Sequence, residues 1–167
     1  DSLKLFATVY AALKRAGVRD PAAHMCMLRS FNIYTLLFSR EPLSSPAVSR
    51  IKTFAEDRNF DLVFLKGVEP SEVNRFNRRD EAIYFERIAR LQAELESSTA
   101  EYSSEYILNV SKASDNSPYF NRFIKWGRID DLYEVTGRRS HAFYFTGEIL
   151  IVAVFAISLI LSVSIIM

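Results

Sequence analysis

The last nineteen residues, Ile149 to Met167, carry no charge, no glycine and no proline. As an α-helix they would reach roughly 28 Å at 1.5 Å per residue, about the thickness of a bilayer's hydrocarbon core. A buried helix of a globular protein seldom stays apolar on all faces for so long. The run therefore predicts a transmembrane helix over 142–167, with the lipid bilayer as a partner. "HAFYFTG" directly before it brings aromatics of the kind that collect at headgroup level. Trp126, Arg138, Arg139, Tyr144 and Glu148 are the candidate membrane-interface residues. Arg138 and Arg139, with Lys125 and Arg128 upstream, put the preceding part on the cytoplasmic side by the positive-inside rule. Glu148 lies at the mouth of the span, where an acid is costly unless paired or near the headgroups.

The rest has the composition of a folded domain: of 167 residues, 49% are hydrophobic and 25% charged, which argues against disorder. Twenty-one basic and 20 acidic side chains leave a net charge of +1, too little field to argue for nucleic acid. The single cysteine, Cys26, excludes an intrachain disulfide and fits a reducing compartment. Asp1 lies inside an amphipathic pattern and Met167 inside an apolar run. The chain thus reads as a fragment, with the remaining domains of the same polypeptide as partners.

Periodicity orders the elements. "SLKLFATVYAALKRAG" aligns Leu3, Phe6, Tyr10 and Leu13 on one helical stripe, closed by Gly17. "HMCMLRS" and "IYTLLFSR" read as strands separated by Phe31 and Asn32, hence a hairpin. A helix follows from Ser45 as N-cap and Pro46 as first helical residue, burying Val48, Ile51 and Phe54–Ala55. "FDLVFLKG" is a buried strand. Asp80 caps a long helix whose inner face holds Ile83, Ile88, Leu91 and Leu95. Ser97 to Ser104 has room for a short helical turn, and "YILNV" reads as one more strand.

Signals for chemistry are sparse. There is no GxGxxG, P-loop, GxSxG or CxxC, and His24 and His141 lack metal-ligand spacing. His24 reads as a strand cap, and Cys26 as a buried inert thiol. In "RSFNIYT" a hairpin end could aim Arg29, Asn32 and Tyr34 at a cleft; the plainer alternative is a turn with Asn32 in the left-handed region. "NRFNRRDE" mixes cations with an aromatic, but ordinary chemistry at a helix start accounts for it. "SDNSPYFNRFIKW" sets Asp115 before a proline turn, then interleaves aromatics with cations. It suits an amphipathic junction over 114–141, lying on a bilayer or packed on the domain.

These segments resemble the C-terminal part of the bacterial membrane-bound proteins known as spermidine-synthase-like. The likeness runs through "AALKRAGVRDPAAHM", "YTLLFSREPLSSPAVSRIKTFAEDRNFDLVFLKGV" and "NRFN", and "SDNSPYFNRFIKW" matches a closing signature of the form TDDxPYFxxFxxW. It implies an α/β fold for 1–113: a partial Rossmann-like C-terminal half of the S-adenosylmethionine-dependent methyltransferase type, with an antiparallel edge hairpin. It implies an inner-membrane location in a bacterium. The implied activity is methyl or aminopropyl transfer from S-adenosylmethionine or decarboxylated S-adenosylmethionine, the donor being bound upstream and not by this fragment. Asp115 and Tyr34 would be its catalytic candidates, Arg29 and Asn32 its substrate-binding ones. The hairpin reads "RSFNIY" where the synthases carry a Tyr-Pro pair, and the closing acid pair is reduced to Asp115–Asn116. The alternative is a non-catalytic Rossmann-like scaffold of a multi-pass membrane protein or transporter.

Overall fold

An unbroken apolar run such as "MCML" can sit only where both faces of a sheet are covered. In the computed structural model, strand β1 (Met25–Ser30) is indeed the central strand, between β2 (Ile33–Phe38) and β3 (Asp61–Leu65). The structure describes residues 2–79, 82–97, 101–117 and 122–166, with the side chains of 133, 135–149 and 166 outside that set. Helix α1 (Ser2–Arg15) precedes the sheet and α2 (Ser45–Asp57) links β2 to β3. Helices α3 (Ile83–Ser97), α4 (Glu101–Glu105) and α5 (Ile129–Ile166) follow. The chain divides into two compact units, Asp1–Tyr106 with Val110–Phe120, and Ile107–Asn109 with Asn121–Met167.

In the first unit, strand alternation sends Met25 and Met27 to one core, with Phe6, Tyr10, Ile88 and Leu91. Cys26 and Leu28 face the other core, with Ala55, Leu62 and Leu65. The β1–β3 ladder shifts register at Met27/Leu28, and Val63 and Phe64 consequently both join the first core. Phe6 is fully buried and meets the Phe64 ring edge-on at 4.8 Å, an anchor worth about 1.5–3 kcal/mol of burial alone. Gly17 closes α1 at φ +85°, as its sequence position predicts.

Several expectations are corrected. The sheet is a small antiparallel one: β1 runs against both neighbours, and no Rossmann-type parallel sheet exists among the described residues. The reason is the crossover. Helix α2 carries the chain past β1, so β3 pairs with β1 instead of extending the sheet beside β2. Likewise, among the described residues no helix is long and apolar enough to cross a membrane. Helix α5 has 38 residues, Ile129–Ile166, and its first twenty carry charges from Asp130 to Glu148. Residues 106–110, "YILNV", form bends at 106–108 and irregular backbone at 109–110, not a strand. The α2 cap is Ser44, one residue early, its Oγ accepting from the Ala47 N–H at 3.4 Å. Phe54 is 48% exposed and lies edge-on to Phe60 instead of in the core. Asp80 lies outside the described residues.

Within the second unit, the Asn109 N–H bonds the Phe123 carbonyl at 2.8 Å, and Ile124 and Leu132 are buried with Ile107 and Leu108 beside them. A single 3-10 turn, Trp126–Arg128, leads into α5, with Arg128 Nε on Asp131 at 2.7 Å. The side chains of α5 from Leu150 to Ile165 are exposed.

Candidate functional site

Two lone charges in apolar strands build the principal site. Arg29 at the end of β1 and Asp61 at the start of β3 are register partners, 2% and 1% exposed, and their side chains meet at 2.7 Å. A buried ion pair is tolerated only when its remaining donors and acceptors are bonded as well. Loop 74–79 supplies those partners. The Asp61 carboxylate accepts from the Phe76 N–H at 2.8 Å and the Asn77 N–H at 3.0 Å, and Arg29 donates to the Asn77 carbonyl at 2.5 Å. Burial acts to raise the Asp61 pKa. The two backbone N–H groups and the guanidinium outweigh it and hold the carboxyl below its ordinary value. The Nε of Arg29 is buried without a hydrogen-bond partner among the described residues.

The loop is also stapled to itself. Asn74, at φ +52°, bonds Arg79 twice, through Nδ2 to the carbonyl at 2.8 Å and through Oδ1 from the N–H at 2.9 Å. Asn77 Nδ2 donates to the Asn59 carbonyl at 3.2 Å. Tyr84, near the start of α3, has two guanidiniums over its ring, Arg29 at 4.9 Å and Arg79 at 5.3 Å from its centre. Tyr34 packs edge-on against Tyr84 at 5.3 Å. Burial pushes the Tyr34 phenol up, and its hydrogen bond with Tyr84 adds to the shift.

The sequence candidates thus separate. Arg29, Asn32 and Tyr34 converge on one cluster: Arg29 in the ion pair, Tyr34 on Tyr84, and Asn32 accepting from Arg79 at 3.2 Å. Asn32 is not left-handed; Phe31 takes that conformation at φ +56°. Asp115 is exposed in a tight turn closed by Ser117 N–H to the Ser114 carbonyl at 2.8 Å, a segment tied to α1 through Ala113 N–H on Thr8 Oγ1. It bonds none of the other three among the described residues. Pro118 to Asn121, the heart of the closing signature, lie outside the described residues, as do the side chains of Arg138, Arg139, His141, Tyr144 and Glu148. Trp126 is 46% exposed. Asp61 and Tyr84 escaped the sequence reading, and Asn74, Asn77 and Arg79 lie in "NRFNRRDE", which it put down to ordinary chemistry at a helix start. A usable signal was there: one arginine and one aspartate, alone at the ends of otherwise buried strands.

Two concavities flank these elements. Beside the ion pair a cavity of about 10 Å³ has space for one water at most. Next to it, an open depression of about 390 Å³ is lined by Ser71, Asn74, Arg75 and Arg78. Arg75 reaches Glu56 at 3.1 Å and its guanidinium lies 5.2 Å from the Phe76 ring centre; Arg78 is exposed. On the far core, a groove of about 470 Å³ between α1 and α3 has Lys14, Arg15 and Lys112 at its rim. Glu94, 8% exposed, accepts there from the Ser103 N–H at 2.6 Å and so fixes the start of α4. No group of three or more His, Cys, Asp or Glu residues suited to a metal occurs among the described residues. The fit of an S-adenosyl donor is not carried by any feature of these concavities, and the likeness to spermidine-synthase-like proteins rests on the quoted segments alone. No family model, no curated protein and no solved structure matches this chain.

Proposed function

We propose that this chain is a non-catalytic recognition scaffold, whose pre-ordered loop 74–79 presents Arg75 and Arg78 to an oxyanion-bearing ligand. The observation that carries this reading is the stapling of the loop from behind. The Arg29–Asp61 pair, the two Asn74–Arg79 hydrogen bonds and the Asn77–Asn59 contact all fix its backbone, while Arg75, paired with the exposed Glu56, and Arg78 line the depression. A loop ordered in advance loses little entropy on binding, and arginine forks match carboxylate and phosphate oxygens. The residues proposed for an acceptor site, Arg29, Asn32 and Tyr34, are engaged within the fold instead, which favours the scaffold over a transferase.

The test is calorimetric titration of the chain with inorganic pyrophosphate, beside S-adenosylmethionine and decarboxylated S-adenosylmethionine. Pyrophosphate should give saturable heat that Arg75→Ala/Arg78→Ala removes. Heat with an S-adenosyl compound that persists in this double variant would put the transferase reading first. No saturable pyrophosphate binding would end the anion reading.

A further inference from the structure

Sheet edges are normally blunted by charge, proline, bulges or a covering segment, because an open edge pairs with whatever strand it meets. Strand β2 has none of the first three. "IYTLLF", Ile33 to Phe38, contains no charged residue and no proline, and its ladder with β1 is regular from Ser30↔Ile33 to Met25↔Phe38. Among the described residues its other edge has no paired strand, the sheet order being β2-β1-β3. Ile33 at 72%, Leu37 at 41% and Phe38 at 62% are exposed and apolar, while Tyr34 and Leu36 are half-buried against the first core. Phe31, in the turn beside it, is 74% exposed.

The register tells which backbone groups are open. In a hairpin with a two-residue turn, the closing pair, here Ser30 and Ile33, exchanges hydrogen bonds, and the pattern then alternates. Ile33, Thr35 and Leu37 therefore bond β1, while Tyr34, Leu36 and Phe38 turn their N–H and C=O outward. No backbone partner for these three occurs among the described residues outside the strands. An antiparallel partner has to exchange its bonds with this set. The set is symmetric about Leu36, so an identical strand satisfies it completely.

We propose that β2 is a self-pairing edge: two copies of this chain join their sheets antiparallel across β2, with Leu36 on the two-fold axis. Leu36 then faces Leu36 of the partner subunit, and Tyr34 faces Phe38 of the partner subunit, an aromatic pair formed twice. On the opposite face Thr35 lies across from Leu37 of the partner subunit. Aromatic and apolar cross-strand pairs are the stabilising ones, and no like charges meet between positions 33 and 38. The isologous arrangement closes and leaves no further edge at β2.

Leu36→Cys in the full chain tests the register under mild oxidation, since Cys26 is fully buried and silent. The expected product on a non-reducing gel is a covalent dimer, while Asp57→Cys, exposed on α2, stays monomeric. Adding Leu37→Lys should lower the Leu36→Cys dimer yield at least tenfold with unchanged far-UV circular dichroism, because lysines then meet diagonally across the pair. Should that lysine unfold the chain, Phe38→Lys serves in its place. Equal cross-linking at positions 36 and 57 would overturn the proposal. So would a Leu36→Cys chain that remains monomeric, the result expected if a strand of another polypeptide occupies this edge.

Discussion

Asp61→Ala is the most informative perturbation, because the wild-type carboxylate ends three hydrogen bonds at once. It accepts from Arg29 at 2.7 Å, Phe76 at 2.8 Å and Asn77 at 3.0 Å, and is 1% exposed. Removing it strands a buried guanidinium, which costs about 3–5 kcal/mol, and orphans two N–H groups as part of the same loss. At a urea slope of about 2 kcal/mol/M, the midpoint should fall by about 2 M. Far-UV circular dichroism is the readout, since Trp126 belongs to the second unit and would report on that. Arg29→Met should cost less, because Asp61 keeps both backbone donors. Breaking the Lys66–Asp20 pair, 58% and 46% exposed, should cost below about 1 kcal/mol. Loop 74–79 loses its anchor in Asp61→Ala, so trypsin should cut after Arg75, Arg78 or Arg79 well before it does so in the wild type. A midpoint shift under about 0.5 M, or Arg29→Met costing more than Asp61→Ala, would refute the reasoning.

Two further outcomes follow from the titrating groups. The Asp61 pKa is held down in the fold, so its contribution to stability is complete above the unfolded value of about 3.9 and is lost as pH falls through the folded one. Acid unfolding should therefore weaken on Asp61→Asn, measured as a flatter stability–pH curve below about pH 4; an unchanged curve would assign the acid sensitivity elsewhere. Burial pushes the Cys26 thiol up to about 12 and leaves it fully covered. A thiol-disulfide reagent at pH 8 should label it only at the rate of unfolding, and labelling within seconds in the native state would contradict that burial.

The sequence by itself determined the local elements. Apolar residues at helical spacing marked α1 and the inner face of α3, and the two-residue gap at Phe31–Asn32 marked the hairpin. The continuous apolar run in "FDLVFLKG" marked a buried strand, which β3 is throughout. Each of these follows from periodicity, which is a property of neighbours along the chain. It did not determine pairing: whether β3 joined β1 or extended beside β2 depended on where α2 delivered the chain, and the expected parallel sheet gave way to an antiparallel one. Nor did it determine the site. Arg29, Asn32 and Tyr34 were visible as polar residues at a hairpin end, but their partners lie far along the chain, at Asp61, Arg79 and Tyr84. Only tertiary structure brought these together, because a buried charge has to find its counter-charge in space and nothing requires that partner to be near in sequence.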